Sequence, residues 1–289
     1  MLAGILLALC TSVSWALGNV LMQRTGRLLG GTRGMAWALA VGSAVAALAA
    51  LAFDRRSAPI TAGVVAWTGA AGVSGLIAYG GCYYSFARAK LSLAVPLVSC
   101  WAIVAGALSL TVLGERPRAL QLVGAAIVLV GVMLVSRGAA HDQPTPGVSA
   151  AASRRALWAA LAAGVAFGIM LPAMGQAAAA LGAFGTTAAA HGLCVLLLWP
   201  VARFAGASMA PPPRSAWLVV LATGLFETLG YVFMTLAGRF APITLLAPVA
   251  SLASAFTVLA AWLFLRERPP AAAVVGALLA TGGIVLLAR

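Results

Sequence analysis

Charged side chains are scarce in this chain of 289 residues: five are acidic, and Asp, Glu, Lys and Arg together make up 8%. A soluble domain carries about 25% charged residues, so the chain lacks the polar surface that a water-soluble protein needs. Hydrophobic residues make up 63%, and the mean hydropathy is +1.06. The apolar stretches are long and do not alternate with polar residues, which indicates transmembrane helices rather than barrel strands. We therefore expect an all-α integral membrane protein.

The net charge of +13 does not indicate a nucleic-acid partner. The basic residues occur singly or in pairs between apolar stretches, without a basic stripe or a nucleic-acid motif, which is typical of anchors at the membrane interface. The four cysteines lie inside apolar stretches at spacings that fit no metal motif, and we expect small buried residues rather than ligands or disulfides. They are Cys10, Cys82, Cys100 and Cys194. The sequence predicts no metal and no cofactor.

Residues 1–137 match residues 153–289 end to end without a gap. The matched pairs include Tyr79 with Tyr231, Pro96 with Pro248, Ser99 with Ser251, Glu115 with Glu267, and Arg116 with Arg268. A duplication in so apolar a chain is typical of a membrane protein whose two halves surround one central pathway. Residues 138–152 carry Pro144 and Pro146 and are predicted to link the halves.

Clusters of Arg, Pro and Gly divide the apolar sequence into ten predicted spans, each near the roughly 20 residues that a bilayer requires. The spans are 2–22, 35–53, 60–84, 91–113, 118–136, 155–176, 184–203, 215–237, 242–264 and 270–288. Because each half has an odd number of spans, the second half must cross the membrane in the opposite sense. The sequence therefore predicts a 5+5 inverted repeat. Most Lys and Arg residues fall on the side of the linker, which by the positive-inside rule would leave both termini outside.

Short motifs at the ends of the fourth and ninth spans point to a family. A small-residue turn precedes the fourth span, Pro96 lies within it, Gly-Glu-Arg ends it at Arg116, and a Gly-containing span follows. The second copy has Pro248 and Arg266-Glu267-Arg268, in which Arg266 replaces the usual glycine. In these features the segments Ala87–Gly131 and Ala241–Gly283 resemble the EamA-type domain of the drug/metabolite transporter superfamily.

The resemblance implies ten helices in two inverted repeats and secondary transport by alternating access. It implies a central cavity lined mainly by the first, third, fourth, sixth, eighth and ninth spans. It also places both termini in the cytoplasm of a cell, against the distribution of basic residues, and we adopt the family's orientation. A bacterial inner membrane is the expected location. The superfamily moves amino acids, drugs, sugars, nucleotide sugars and other metabolites, so the fold does not fix the substrate.

Glu227 is the one acidic residue in the middle of a predicted span. A charge at the centre of a bilayer costs about 2.5–3.5 kcal/mol on insertion scales, so such a residue usually faces a cavity or a partner. Burial favours the protonated carboxyl, which suits proton coupling. Its counterpart in the first half is Gly75, so the repeat does not explain it. The alternative is a neutral Glu that holds a neighbouring helix.

Aromatic and polar residues around Glu227 are the other candidates for substrate binding or coupling. Tyr231 lies one turn from Glu227 on the same face. Carboxyl and aromatic groups together suit an organic cation or amine, His191 suits a proton relay, and the amides and indoles suit cavity walls. These candidates are Tyr231, Tyr79, Tyr83, His191, Asn19, Gln176, Trp15 and Trp101. Each has the alternative of packing or of holding helices together.

The matched prolines predict kinks in the fourth and ninth spans, because proline removes a backbone hydrogen bond. Pro96 and Pro248, with Ser99 and Ser251 three residues beyond them, are therefore gating candidates. The pairs Glu115–Arg116 and Glu267–Arg268 are predicted to be interfacial or gating pairs rather than substrate ligands. The glycines of Gly164-x-x-x-Gly168 predict close packing of the sixth span.

No Lys or Arg is expected near the middle of a span, which disfavours phosphate and nucleotide-sugar substrates. We expect a secondary active transporter that exports a small amino-acid-like, amine or drug-like metabolite and is proton-coupled through Glu227. Its partners would be the lipid bilayer, the solute and protons, and it would be a monomer or homodimer. A flippase of a lipid-linked small molecule and a non-transporting membrane protein remain alternatives. An enzyme is disfavoured, since no polar catalytic residues cluster at one interface.

Overall fold

The computed structural model describes residues 1–54, 58–89, 91–139, 150–257 and 271–287, and in these ranges every regular element is a helix. The first half contains α1 (Leu2–Leu29), α2 (Gly31–Phe53), α3 (Ala62–Arg88), α4 (Leu91–Val98), α5 (Trp101–Thr111) and α6 (Ala119–Ala139). The second contains α7 (Ala150–Phe204), α8 (Trp217–Ala237), α9 (Ile243–Ala250) and α10 (Ala271–Leu287). The all-α class is confirmed.

Within the described part of the chain, α1, α2, α3, α7 and α8 are long and apolar enough to cross a membrane. Shorter apolar helices cover Trp101–Thr111, Ala119–Leu134, Ile243–Thr257 and Leu278–Leu287. Large apolar side chains cover the outside of the helices: Leu51 is 86% exposed and Leu218 is 79% exposed. Such a surface is costly in water and favourable in lipid. The chain is a multi-pass membrane protein.

Two glycines at equivalent positions of the halves break long helices. Gly30 separates α1 from α2 with φ 81° and ψ 154°, and Gly182 interrupts α7 with φ 75° and ψ 177°. Essentially only glycine adopts this backbone region. The predicted first span ends too early and the second begins too late, because residues 23–29 and 31–34 are helical. The arginines there lie on helix ends rather than in a loop.

The fourth predicted span is two helices, α4 and α5, separated by a turn at Ser99 and Cys100. A turn at the equivalent Ser251 and Leu252 follows α9, and residues 253–257 are helical again. Both turns come three to four residues after a proline, Pro96 in α4 and Pro248 in α9.

Close packing of glycine supports the turn between α4 and α5. A β-carbon built on Gly164 of α7 would lie 2.4 Å from Cys100 Sγ and 2.6 Å from the Val98 carbonyl oxygen. A β-carbon on Gly168 would lie 2.4 Å from Val104 Cβ. Side chains at these two positions would push α7 away from the broken helix, so the glycines allow the helices to approach closely.

The two halves meet through α6 and α10, which are equivalent helices. A β-carbon built on Gly124 would lie 3.0 Å from the Gly283 carbonyl oxygen, and one built on Gly131 would lie 2.5 Å from the Gly276 carbonyl oxygen. Early residues of each helix therefore face late residues of the other, so the helices run antiparallel. Gly124 is the repeat counterpart of Gly276, and Gly131 is that of Gly283, so the two contacts are equivalent. This equivalence is what a two-fold axis between α6 and α10 requires.

Residues at both ends of the predicted linker are helical. Residues 138–139 belong to α6 and residues 150–152 to α7, while residues 140–149 lie outside the described ranges. The physical reason is composition, since alanine has the highest helix propensity and extends both helices.

Candidate functional site

A cavity of about 40 Å³ lies at the centre of the helices, and we call it the central cavity. Its walls come from α1, α3, α4, α5, α7 and α8 and from the helical residues after α9. The lining residues are Trp15, Asn19, Met22, Cys82, Val95, Val98, Ser99, Trp101, Phe167, Leu171, Glu227, Tyr231 and Ala253. Among these described residues Glu227 carries the one ionisable carboxyl, and there is no Lys or Arg.

Glu227 is held in the middle of α8 with only 5% of its surface exposed. The Tyr79 hydroxyl lies 3.5 Å from Glu227 Oε2 and is placed to hydrogen-bond with it. The other carboxyl oxygen lies against α1, where a β-carbon on Gly18 would stand 2.2 Å from Oε1. The carboxyl is therefore fixed between α1 and α3 at the edge of the central cavity.

Tyr79 connects Glu227 to His191. Tyr79 Oη lies 3.0 Å from His191 Nε2, and both residues are fully buried. Among the described residues, His191 Nδ1 has no hydrogen-bond partner. His191 is not among the residues that line the central cavity. The three side chains form a line from the cavity into the protein, with Glu227 from α8, Tyr79 from α3 and His191 from α7.

Aromatic rings form the wall beside Glu227. The Tyr231 ring lies with its centroid 5.0 Å from that of Trp15 and 5.2 Å from that of His191, both in edge-on arrangements. Trp15 in turn meets Trp101 edge-on at 5.6 Å. The indole Nε1 of Trp15 is buried without a partner. The Glu227 carboxyl and the side chains of Trp15, Trp101 and Tyr231 line the central cavity, whereas the Trp15 N–H lies against Gly230 of α8.

The turns in the broken helices form a further wall of the central cavity. The Ser99 hydroxyl donates to the Val95 carbonyl at 3.0 Å, and the Ser251 hydroxyl donates to the Pro248 carbonyl at 2.6 Å. Each serine hydroxyl bonds to a carbonyl next to the helix break, and the Val95 carbonyl also accepts from the Ser99 backbone N–H at 2.9 Å. Asn19 joins α1 to this region, since its Nδ2 lies 3.5 Å from the Thr257 hydroxyl.

Four of the predicted binding residues do not line the central cavity: Tyr79 and His191 lie behind Glu227, and two others lie elsewhere. Tyr83 is buried, its hydroxyl has no hydrogen-bond partner, and it does not line the central cavity. Gln176 is exposed in a second cavity of about 1020 Å³. We call this second cavity the vestibule. It lies among the ends of α2, α5 and α8, the start of α9 and the middle of α7 around the break at Gly182.

About one helical turn separates the two cavities. Leu171 lines the central cavity and Gly175 the vestibule, and the same holds for Tyr231 and Thr235 on α8. Four residues of helix rise about 6 Å. A solute that moved between the two cavities would cross a layer of this thickness.

Glu115 caps a helix of the opposite half. Its carboxylate accepts hydrogen bonds from the backbone N–H of Ile243 at 2.9 Å and of Thr244 at 3.0 Å, and from the Thr244 hydroxyl. These groups form the N-terminus of α9, where a carboxylate is favourable. Arg116 is exposed, and Glu267 and Arg268 lie outside the described residues.

Asp54 has a similar role that the sequence did not reveal. Its Oδ2 accepts a hydrogen bond from the Gly185 N–H at 2.7 Å, at the start of the helical segment after Gly182. Phe167 and Gly18 were also missed. Phe167 could have been found, because it is the repeat counterpart of Trp15. Nothing local marks Gly18 as the neighbour of Glu227.

A multi-pass helical chain with a duplicated sequence and a carboxyl in a central cavity fits the class of membrane transport proteins. The chain is a member of the EamA-like transporter family, whose model matches residues 2–137 and 154–289. Among solved structures, 28 chains match significantly. One, described only as the crystal structure of a protein, is 19% identical, with a TM-score of 0.75 over 99% of this chain and 98% of its own. That likeness shows the fold. No curated sequence matches significantly.

Proposed function

We propose that this chain is a secondary active transporter that exports a small organic solute across the cell membrane by alternating access. Ten spans, arranged as two inverted repeats of five, would carry the motion. The observation that carries the proposal is the central cavity, which holds one carboxyl between helices of both halves. Membership of a transporter family supports it. So does the layer of one helical turn between the cavity and the vestibule, because alternating access requires a thin barrier that can open.

The proposed solute is a small organic amine or cation, free or as part of an amino-acid-like molecule. Glu227 is the one carboxyl in a lining without Lys or Arg among the described residues, so an anion would meet repulsion and no counter-charge. The rings of Trp15, Trp101 and Tyr231 offer cation–π contact worth about 0.5–2 kcal/mol. The Asn19 amide could donate to a carboxylate or hydroxyl of the same solute.

The proposed coupling ion is the proton. A proton and an ammonium group neutralise the same carboxyl, so they bind Glu227 in competition. Exchange of one for the other leaves the charge of the buried site unchanged, which avoids the cost of moving a bare carboxylate through the membrane. A proton gradient would then drive the solute in the opposite direction.

Proteoliposomes that contain the Glu227→Gln variant test this function. A thermal-shift screen against amines and cationic drugs first selects a solute that stabilises the purified protein. Wild-type protein should accumulate that solute when a pH gradient is imposed, and Glu227→Gln should not. Asp142→Asn makes the same change of charge in the predicted linker and should behave as wild type. Equal gradient-driven uptake by wild type and Glu227→Gln would refute the role of Glu227.

The proposed orientation places both termini in the cytoplasm of a bacterial cell, and the linker outside. A cysteine introduced at Asp142 should then react with a membrane-impermeant maleimide in intact cells. Reaction only after cell lysis would reverse the orientation and leave the transport proposal untouched.

A further inference from the structure

Tyr79 stands between two groups that can both exchange protons. Its Oη lies 3.0 Å from His191 Nε2 and 3.5 Å from Glu227 Oε2. A tyrosine hydroxyl has one hydrogen to donate. Both contacts can be hydrogen bonds only if one neighbour donates to the tyrosine oxygen. Either Glu227 is protonated and donates while Tyr79 donates to Nε2, or Nε2 carries a hydrogen and donates while Tyr79 donates to the carboxylate.

We infer that His191 is a second proton-binding site of the transporter, linked to Glu227 through the Tyr79 hydroxyl. The inference rests on the proposed proton coupling through Glu227. When a solute cation takes the carboxylate, the Glu227 proton moves to Tyr79 Oη as the Tyr79 hydrogen moves to His191 Nε2. The products are a carboxylate, a neutral tyrosine and an imidazolium. No proton enters the central cavity. The three side chains keep their total charge until His191 releases the proton, so that one solute cation still replaces one proton.

The arrangement around His191 fits this role. In the tautomer that accepts a hydrogen bond from Tyr79, Nδ1 already carries a hydrogen, and Nδ1 has no partner. Uptake of a proton at Nε2 therefore creates no new unsatisfied group at Nδ1. Burial disfavours an imidazolium, but the carboxylate formed in the same step lies on the other side of Tyr79 and offsets that cost.

The other titratable groups near the line are poorer proton acceptors. Cys82 and Tyr83 come from α3, Cys194 from α7 and Tyr231 from α8, and α1 and α2 contribute Gly18 and Gly42 at the contact. Thiols and phenols are neutral near pH 7 and bind a further proton only in strong acid. Histidine is the side chain whose charge changes nearest to neutral pH. His191 also lies outside the cavity lining, so a solute cannot substitute for its proton directly.

Two variants test the connection from Glu227 through Tyr79 to His191. Tyr79→Phe removes the bridging hydroxyl and keeps the ring, which packs against Phe167, His191 and Tyr231. His191→Gln removes the proton site. The matched control is Tyr83→Phe, one turn further along α3, because the Tyr83 hydroxyl has no partner and does not reach the central cavity.

The first test needs no solute. The chain has two histidines, so the His141→Gln background labelled with ¹⁵N-histidine gives the NMR signals of His191 alone. We expect the ratio of imidazolium to imidazole at a fixed pH to fall about tenfold in Glu227→Gln. In Tyr79→Phe the neutral ring should lose its preference for the Nδ1–H tautomer. The inference would be overturned if the ratio of imidazolium to imidazole were the same in Glu227→Gln as in wild type and the His191 tautomer were the same in Tyr79→Phe as in wild type.

The second test uses proteoliposomes with radiolabelled tetramethylammonium as the probe. Tyr79→Phe and His191→Gln should keep solute exchange without a gradient and lose at least tenfold of the accumulation driven by a pH gradient. Tyr83→Phe should keep both. Full accumulation in both variants would overturn the inference. If a variant loses exchange as well, the NMR result alone decides whether His191 is linked to Glu227. If wild-type protein does not transport the probe, the proposed function fails, and the NMR result still decides the link between Glu227 and His191.

Discussion

The carboxyl group of Glu227 lies directly against the main chain of Gly18. A β-carbon built on Gly18 would stand 2.2 Å from Oε1 and 3.1 Å from the carboxyl carbon. The two residues belong to opposite halves, Gly18 to α1 and Glu227 to α8. Because Gly18 has no side chain, the first half leaves room for the Glu227 carboxyl of the second half at the edge of the central cavity.

We expect Gly18→Ala to displace the Glu227 carboxyl. Overpacking of this kind costs about 1–3 kcal/mol, so affinity for a cationic solute should fall roughly tenfold or more. A binding titration of purified protein measures the change. Gly69→Ala is the control, because a β-carbon there meets nothing within 4 Å and α3 should gain up to about 1 kcal/mol. Unchanged affinity in Gly18→Ala would show that the carboxyl can move without loss.

Gly30 and Gly182 should tolerate alanine unequally. Both have a backbone conformation that costs another residue about 1–3 kcal/mol. At Gly30 a β-carbon meets nothing within 4 Å, whereas at Gly182 it would lie 2.3 Å from the Asp54 carboxyl carbon. Thermal unfolding should therefore show a larger loss of stability for Gly182→Ala than for Gly30→Ala. Equal losses would mean that the Asp54 side chain can move away at no cost. We do not expect this, because such a movement would break its hydrogen bond to the Gly185 N–H.

Removal of the Glu115 carboxylate should destabilise α9. Loss of a helix cap costs about 0.5–2 kcal/mol, and Glu115→Ala removes an acceptor from two backbone N–H groups at once. Glu115→Gln keeps one acceptor oxygen and should lose less. Arg116→Ala changes an exposed neighbour and should stay within about 0.5 kcal/mol of wild type. Thermal melts in detergent rank the three variants, and a strong loss in Arg116→Ala would indicate an ion pair instead of a cap.

Replacement of the Tyr231 ring should weaken cation binding selectively. Loss of a cation–π contact of about 0.5–2 kcal/mol lowers affinity roughly 2- to 30-fold. Tyr231→Leu should therefore bind choline more weakly, while its affinity for the neutral analogue 3,3-dimethylbutan-1-ol should change little. Tyr231→Phe keeps the ring and should resemble wild type. An equal loss for both probes would assign the ring to packing alone.

Local features were predictable from the sequence because their causes are local. Hydropathy located α8 within two residues at its start and placed Glu227 in its middle. The prolines marked the region where the fourth span divides. The extension of α1 to Leu29 was missed, because Arg24 and Arg27 look like loop residues, although a helix can extend past the apolar layer into the interface.

Contacts between distant helices could not be predicted in the same way. Nothing in the sequence sets the rotation of α3 against α7 that brings Tyr79 to His191. The partner of Glu115 was equally hidden: the adjacent Arg116 suggests a local pair, whereas the fold places the N-terminus of α9 within reach. Helix register and rotation depend on packing along whole surfaces, and many small contributions decide them.

The two halves match in sequence, but the counterpart of Glu227 in the first half is Gly75, which has no acid. If Glu227 binds the cation as proposed, the cation would be held by a carboxyl of the second half alone. The inward-facing and outward-facing forms would then differ in free energy of solute binding. The half-saturation concentration should therefore differ between the two faces of the membrane. The gradients alone fix the final distribution of solute, so this difference changes speed and not equilibrium. Because the acid occurs in one half only, transport at low solute concentration should be faster in one direction than in the other.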